Sequence, residues 1–231
     1  MTILRQAANA SLLFLLASVV PSHAEPPGQA ASSSSDWRAL FDGRTLDGWE
    51  HVGPGKFVVE DGVLRTEGGM GLLWYAREKL GNGVIRVVYK TANDRSNSGV
   101  YLRIADKPKD PWYAVHHGFE IQVMDQSTSG RGTGSIYTFA KAAGNPPKSG
   151  EWNTLEITLK GNRISTAING VQAADFDSSG LKPDAPVISG EGDPARGPRP
   201  ESGYIGLQNH DKNSIVYFKD VSVGPLPGSS K

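Results

Sequence analysis

Apolar and polar residues alternate through the middle of the chain, in VIRVVYK from Val84, GVYLRI from Gly99, FEIQVM from Phe119 and LEITL from Leu155. A period of two is the signature of strands that bury one face. Turn pairs separate several of these runs. Gly161-Asn162 stands between TLEITLK and RISTAI, and Asn169-Gly170 between STAI and VQAADF, which predicts a meander of hairpins. No stretch sustains a period of 3.6 between two caps, and 28 glycines with 15 prolines punctuate short segments. The pattern predicts an all-β fold, a jelly-roll sandwich of two antiparallel sheets.

Alternation also sorts the polar residues by face. Along HHGFEIQVMD, from His116 to Asp125, Glu120, Gln122 and Met124 share one side of an extended strand and Ile121, Val123 and Asp125 the other. Ile121 and Val123 belong in the core, so Glu120 and Gln122 look outward. In the run from Gly99, Val100, Leu102 and Ile104 are the apolar set, which turns Tyr101 and Arg103 outward beside them. A phenol, a guanidinium, a carboxylate and an amide on one sheet face suit a polyhydroxyl ligand, since each can bond a sugar hydroxyl and the ring can stack on a pyranose. The ordinary reading is a solvated Glu120 paired across strands with Arg103, and Asp125 as a turn former. Glu120 and Asp125 stand about 16 Å apart on an extended strand, against ~5 Å for a retaining glycosidase pair. A two-carboxylate hydrolase built from this strand alone is disfavoured, and Gln122 occupies the place where sandwich glucanases carry their central carboxylate.

Other candidates follow from the same logic. In YIGLQN, Ile205 and Leu207 face the core, so Gln208 and His210 share the polar side, where a neutral imidazole can exchange a proton near pH 7. Trp112 and Tyr113 suit a stacking lip, whereas Trp49 and Trp152, with apolar neighbours, are expected in the core. His116 and His117 are adjacent and read as loop. His116 with Asp125 or Glu120 could hold a divalent ion, but no spaced ligand motif calls for one, so no metal and no cofactor are expected.

Composition narrows the partners. With 24 acidic and 24 basic residues the formal net charge is zero, which offers no field for a phosphate backbone and argues against nucleic acid. Arg5 followed by SLLFLLASVV and Ser22-His23-Ala24 predicts a secretory signal peptide over residues 1–24, and no later run approaches the ~20 apolar residues of a membrane span. Residues 25–36 read as a flexible linker, 37–223 as one domain and 224–231 as a tail; the protein is expected in the periplasm or outside the cell. The connection from Asp177 to Ser202, rich in Gly, Pro, Asp and Arg, has the length of a lid or of a disordered insertion.

Taken in order, FDGRTLDGW at Phe41, NSGVYLRI at Asn97, GFEIQVMD, TGSIY at Thr133, GEWNTLEI at Gly150, ING at Ile168 and GYIGLQNHD at Gly203 make the chain resemble the 3-keto-disaccharide hydrolase family. The resemblance covers essentially residues 37–223. It departs at Asp211, which follows His210 where the family usually has glycine. It implies an exported bacterial sandwich, concanavalin-like in architecture, acting on a small carbohydrate, a glycoside already oxidised to a ketone at C3, with hydrolysis that begins by elimination. Such chemistry needs one base, donors near the C3 oxygen and a proton source for the leaving group. On this reading Glu120 is the first candidate for base and His210 its rival. Arg103 would steady the enolate oxygen, and Tyr101, Tyr137, Gln122, Gln208, Asp125 and Trp112 would bind substrate. The alternative from another class is a lectin-like, non-catalytic carbohydrate-binding module.

Overall fold

The structure is a computed structural model, and it describes residues 36–126, 131–144, 146–182 and 197–228. The predicted signal peptide, nearly all of the linker, the middle of the connection from Asp177 to Ser202 and the last residues of the tail lie outside these. Among the described residues no helix is long and apolar enough to cross a membrane.

Two antiparallel sheets form the predicted sandwich. The larger joins β11 (Val171–Asp177), β10 (Arg163–Ile168), β9 (Asn153–Lys160), β6 (Gly83–Thr91), β13 (Val216–Gly224), β4 (Val63–Glu67) and β3 (Lys56–Glu60) in that order, with β1 (Arg38–Ala39) also on β13. The smaller runs β2 (Trp49–Val52), β5 (Gly71–Tyr75), β12 (Tyr204–Asn209), β7 (Ser98–Ile104) and β8 (Phe119–Val123). Both predicted hairpins are present. Lys160 pairs with Arg163 around Gly161-Asn162, and Ile168 with Val171 around Asn169-Gly170. Asn169 and Gly170 both have positive φ, 50° and 80°, as a two-residue turn matched to strand twist requires.

The main core lies between the sheets, where Val100, Leu102, Ile121 and Val123 meet Ile85, Val87, Leu155, Ile157 and Phe218. Val100 and Val123 are fully buried, as the alternation predicts. The sandwich departs from a simple two-layer body on its other side. All seven residues of β7 and all five of β8 are buried, and a short helix, α1 (Trp112–His117), covers the Tyr101 and Ile104 end. Its Ala114 and Val115 form a second core with Leu72, Trp74, Tyr101 and Ile104. The sequence reading placed this segment in a loop. Yet it carries helix-start and helix-stop signals in DPWYAVHHG: Asp110 Oδ1 accepts from the backbone N–H of Trp112 and Tyr113 at 2.9 and 3.0 Å, Pro111 opens the turn and Gly118 closes it. Arg199 fastens the far end, donating to His116 O at 2.8 Å and Gly118 O at 3.1 Å, where a cation satisfies the last carbonyls.

Candidate functional site

The outer face of the smaller sheet collects most of the predicted polar residues. Tyr101 pairs with Glu120, and Gly99 with Gln122, between β7 and β8. Gly206 of β12 pairs with Tyr101, and Leu207 with Val100, so Gln208 comes to lie beside Gly99. One row therefore reads Glu120, Tyr101, Gly206, Trp74, and the next Gln122, Gly99, Gln208, Leu72. Glycines in neighbouring rows let side chains lie across the sheet: Glu120 fills the space beside Gly99 and Leu72 that beside Gly206.

Gly99 shapes the position of the carboxylate. A Cβ there would stand 2.6 Å from Glu120 Oε1 and 2.8 Å from its Cγ, so the Glu120 side chain lies across the glycine. Around it the amides are held. Gln122 Nε2 donates to Asn97 Oδ1 at 2.7 Å, and Gln208 Nε2 donates to the Tyr101 hydroxyl. Glu120 and Gln122 are 4 % exposed and Gln208 is 3 %, far from the solvated edge that the bland reading assumed. Helix α1 roofs the Tyr101 and Trp74 end. The amide oxygens of Gln122 and Gln208 are buried and have no hydrogen-bond partner, an unmet demand that in a buried position costs about 1–3 kcal/mol each.

A segment alongside β8 completes the wall. Gly134 N donates to Gln122 O at 2.9 Å, Gln122 N to Ser135 O at 3.0 Å and Tyr137 N to Glu120 O at 2.8 Å. These bonds cover an edge strand that would otherwise present bare backbone and set the half-buried Tyr137 next to Glu120. His210 stands one residue past the end of β12, exposed at the rim, with Nδ1 2.8 Å from Asp211 Oδ2. Asp211 also accepts from the backbone of Asn213 at 2.7 Å and from Ser214 Oγ at 2.8 Å. Burial works against its charge, but the bonds from His210, Asn213 and Ser214 outweigh that and hold the carboxyl below 3.8. The acid where the family has glycine is thus built into the turn that carries His210. Trp112 is 57 % exposed on the first turn of α1.

Two predicted site residues are elsewhere. The pairing between β7 and β12 shifts register after Tyr204, and within that bulge Arg103 takes φ = 53°. The irregularity turns its side chain out of the alternation. Instead of facing outward beside Glu120, Arg103 is 1 % exposed and donates through Nη2 to Gly161 O, in the β9–β10 turn of the opposite sheet. Burial lowers its guanidinium from the ordinary value, with the Glu201 charge pulling the other way. Gly203 passes so close that a Cβ would meet Arg103 Cα at 2.5 Å. Asp125 keeps the inward face that alternation gives it. Its carboxylate accepts from Thr91 Oγ1 at 2.6 Å, Thr133 Oγ1 at 2.7 Å and the Tyr89 hydroxyl at 3.1 Å, which leaves it a tie between sheets rather than a cleft residue. Desolvation and the adjacent Asp125 charge push the Tyr89 phenol well above its usual range, so it stays a donor.

Asn97 and Gly99 are site residues the sequence reading passed over. The signal was the parity of the strand, since both share the face of Tyr101. Among the described residues no three His, Asp or Glu side chains gather as metal ligands would. A separate pocket of about 430 Å³, lined by Trp37, Leu80, Asn82, Leu159, Val223 and Pro225, touches none of the candidate residues.

With this geometry in view, the chain belongs to the family described as the 3-keto-alpha-glucoside-1,2-lyase-like domain, which matches residues 36–224. A protein of Parabacteroides distasonis ATCC 8503, provisionally named a glycosyl hydrolase, is 25 % identical with a TM-score of 0.67 over 82 % of this chain and 99 % of its own. The fold alone is shared with two Bacillus subtilis proteins. One, of unknown function with a galectin-like fold, is 13 % identical with a TM-score of 0.56 over 81 % of this chain and 94 % of its own. The other, a carbohydrate-binding module, is 12 % identical with a TM-score of 0.51 over 77 % and 95 %. No curated protein matches the chain. The protein is therefore a carbohydrate-active β-sandwich of hydrolase or lyase type.

Proposed function

We propose that this protein is an exported enzyme that cleaves 3-keto-glycosides by removing the C2 proton. A ketone at C3 acidifies that proton, and Glu120 takes it. The C–H electron pair forms the enolate, the C1–O bond breaks as the C1–C2 double bond forms, and the departing oxygen takes the proton that Glu120 removed. His210, two strands over and four residues along from the Glu120 row, is roughly 15 Å away and does not reach the same sugar ring. Water then adds across the double bond to give the free 3-keto sugar. The single observation that carries this reading is the Glu120 carboxylate, buried across Gly99 in a row of polar groups. A single carboxylate on that face is the group such a proton removal requires. The unmet amide oxygens of Gln122 and Gln208 suit hydroxyl donors of the sugar ring. Arg103 no longer serves the enolate oxygen. The donor on the same face is the Asn97 NH2, whose own carbonyl is engaged by Gln122. No metal takes part in the reading.

The test is incubation of the mature protein with a 3-keto-disaccharide and with its unoxidised parent in deuterated water. Cleavage restricted to the keto sugar, with deuterium at C2 of slowly turned-over substrate, is expected. Equal cleavage of both sugars, or of neither, overturns the reading. Likeness to a carbohydrate-binding module keeps a purely binding role as the rival; Glu120→Gln distinguishes them, because a binder keeps its affinity and has no turnover to lose.

A further inference from the structure

The outer face of the larger sheet carries a feature the reaction does not use. Lys90 pairs with Tyr217, Tyr217 with Arg65 and Arg65 with Val58, and Trp152 continues β9 to lie beside Lys90. The result is a row across the sheet, Trp152, Lys90, Tyr217, Arg65. The Lys90 ammonium stands 4.9 Å from the Trp152 ring centroid and 5.0 Å from that of Tyr217, and Lys219 stands 5.8 Å from the same indole. Trp152 was expected in the core but is 40 % exposed. A large ring left in water beside two cations is the exception on a monomer surface.

Charge on this face is unevenly neutralised. Arg65 has Glu60 at 3.5 Å and Glu67 at 3.2 Å, and Arg86 has Glu156 at 3.1 Å. Lys90 and Lys219 have no carboxylate partner among the described residues. The two positive groups without an acid therefore converge on the exposed indole. Trp152 and Tyr217 are two strand spacings apart, about 10 Å, comparable to the repeat of a disaccharide unit in an extended glycan. Aromatic faces at that interval can each stack on a pyranose ring, with an ammonium between them to meet an acidic group.

We propose that this row is a binding site for an extended acidic polysaccharide of the uronate type, on the sheet opposite the candidate active site. Alternate sugar rings lie on Trp152 and Tyr217, and carboxylates pair with Lys90 and Lys219. Such a site would hold the protein on a glycan surface through the sheet opposite Glu120.

The probe is a galacturonate oligomer, titrated into the intact protein by calorimetry beside a neutral cello-oligomer and single-stranded DNA. Binding of the uronate at least tenfold tighter than either control is expected, weakening as salt shortens the Debye length from about 30 Å toward about 8 Å. Trp152→Ala is expected to weaken it tenfold or more. Lys90→Gln with Lys219→Gln, which leaves both rings in place, is expected to erase the preference for uronate over the neutral oligomer. Unchanged thermal midpoints show that the variants fold, and Glu120→Gln is expected to bind the uronate normally. No binding, equal binding of DNA, or binding indifferent to Trp152→Ala overturns the proposal, and none of these results bears on cleavage of the keto sugar.

Discussion

The Glu120 carboxylate rests on Gly99, 2.6 Å from where a side chain at that glycine would begin. Gly99→Ala therefore displaces Glu120 without touching any charge. Overpacking of this sort costs about 1–3 kcal/mol, read as a lower midpoint in urea. If Glu120 is the base, turnover of a 3-keto-disaccharide falls at least tenfold, while affinity for the unreacted sugar changes less. Equal turnover in Gly99→Ala and the parent would mean that the placement of this carboxylate is immaterial.

Arg103 makes the opposite prediction. Its guanidinium faces the β9–β10 turn rather than the substrate face, so Arg103→Met is expected to keep turnover within about threefold. Replacing a buried charge by an apolar side chain of similar length alters stability by less than about 2 kcal/mol in either direction. Steady-state kinetics and denaturant unfolding check both halves of this.

Asp125 anchors three hydroxyl donors in the buried space between the sheets. Asp125→Ala strands three buried hydroxyls, those of Tyr89, Thr91 and Thr133, and is expected to remove about 3–5 kcal/mol. Asp125→Asn keeps an acceptor oxygen and is expected to cost less than half as much. Calorimetric unfolding of the two variants would show the gap.

A small acid sensitivity near neutrality has a named source. His51 is exposed on β2, but its ring packs edge-on to Phe57, with ring centroids 5.9 Å apart, and partial loss of water on that side lowers its imidazole below the ordinary 6.5. In the window just under that pH the unfolded chain binds more protons than the folded one, so stability is complete above it and falls as pH drops through the lowered value. The Asp211 and Asp175 carboxyls are held below 3.8 and add no slope there. Thermal midpoints taken between about pH 7.5 and about pH 5 are expected to decline, and to decline less in His51→Gln.

Strand parity made the sheets, the two turns and the Glu120, Gln122, Tyr101 and Gln208 face legible, because side-chain direction on a strand is a local property. It failed at Arg103 for the same reason: the bulge that turns this residue away arises from pairing with β12, a hundred residues on, and carries no mark in VYLRI. Tyr101 and Glu120 face outward as parity predicts, but a solvated Glu120, the ordinary alternative, does not hold. The cover over Tyr101 is α1, whose six residues are too few for periodicity to announce. Trp152 was misplaced because apolar neighbours in sequence were taken for neighbours in space. Asp125 faces the way alternation assigns, and only its hydroxyl partners, drawn from a distant strand and from Thr133, reveal what it does.

A strand sealed above and below, as β7 is, has no wet surface on which substitutions can drift harmlessly. Adaptation of this scaffold to a new ligand must then enter from its margins, through the helix laid over the sheet and the segment beside β8. The glycine-floored rows between them are the fixed keel.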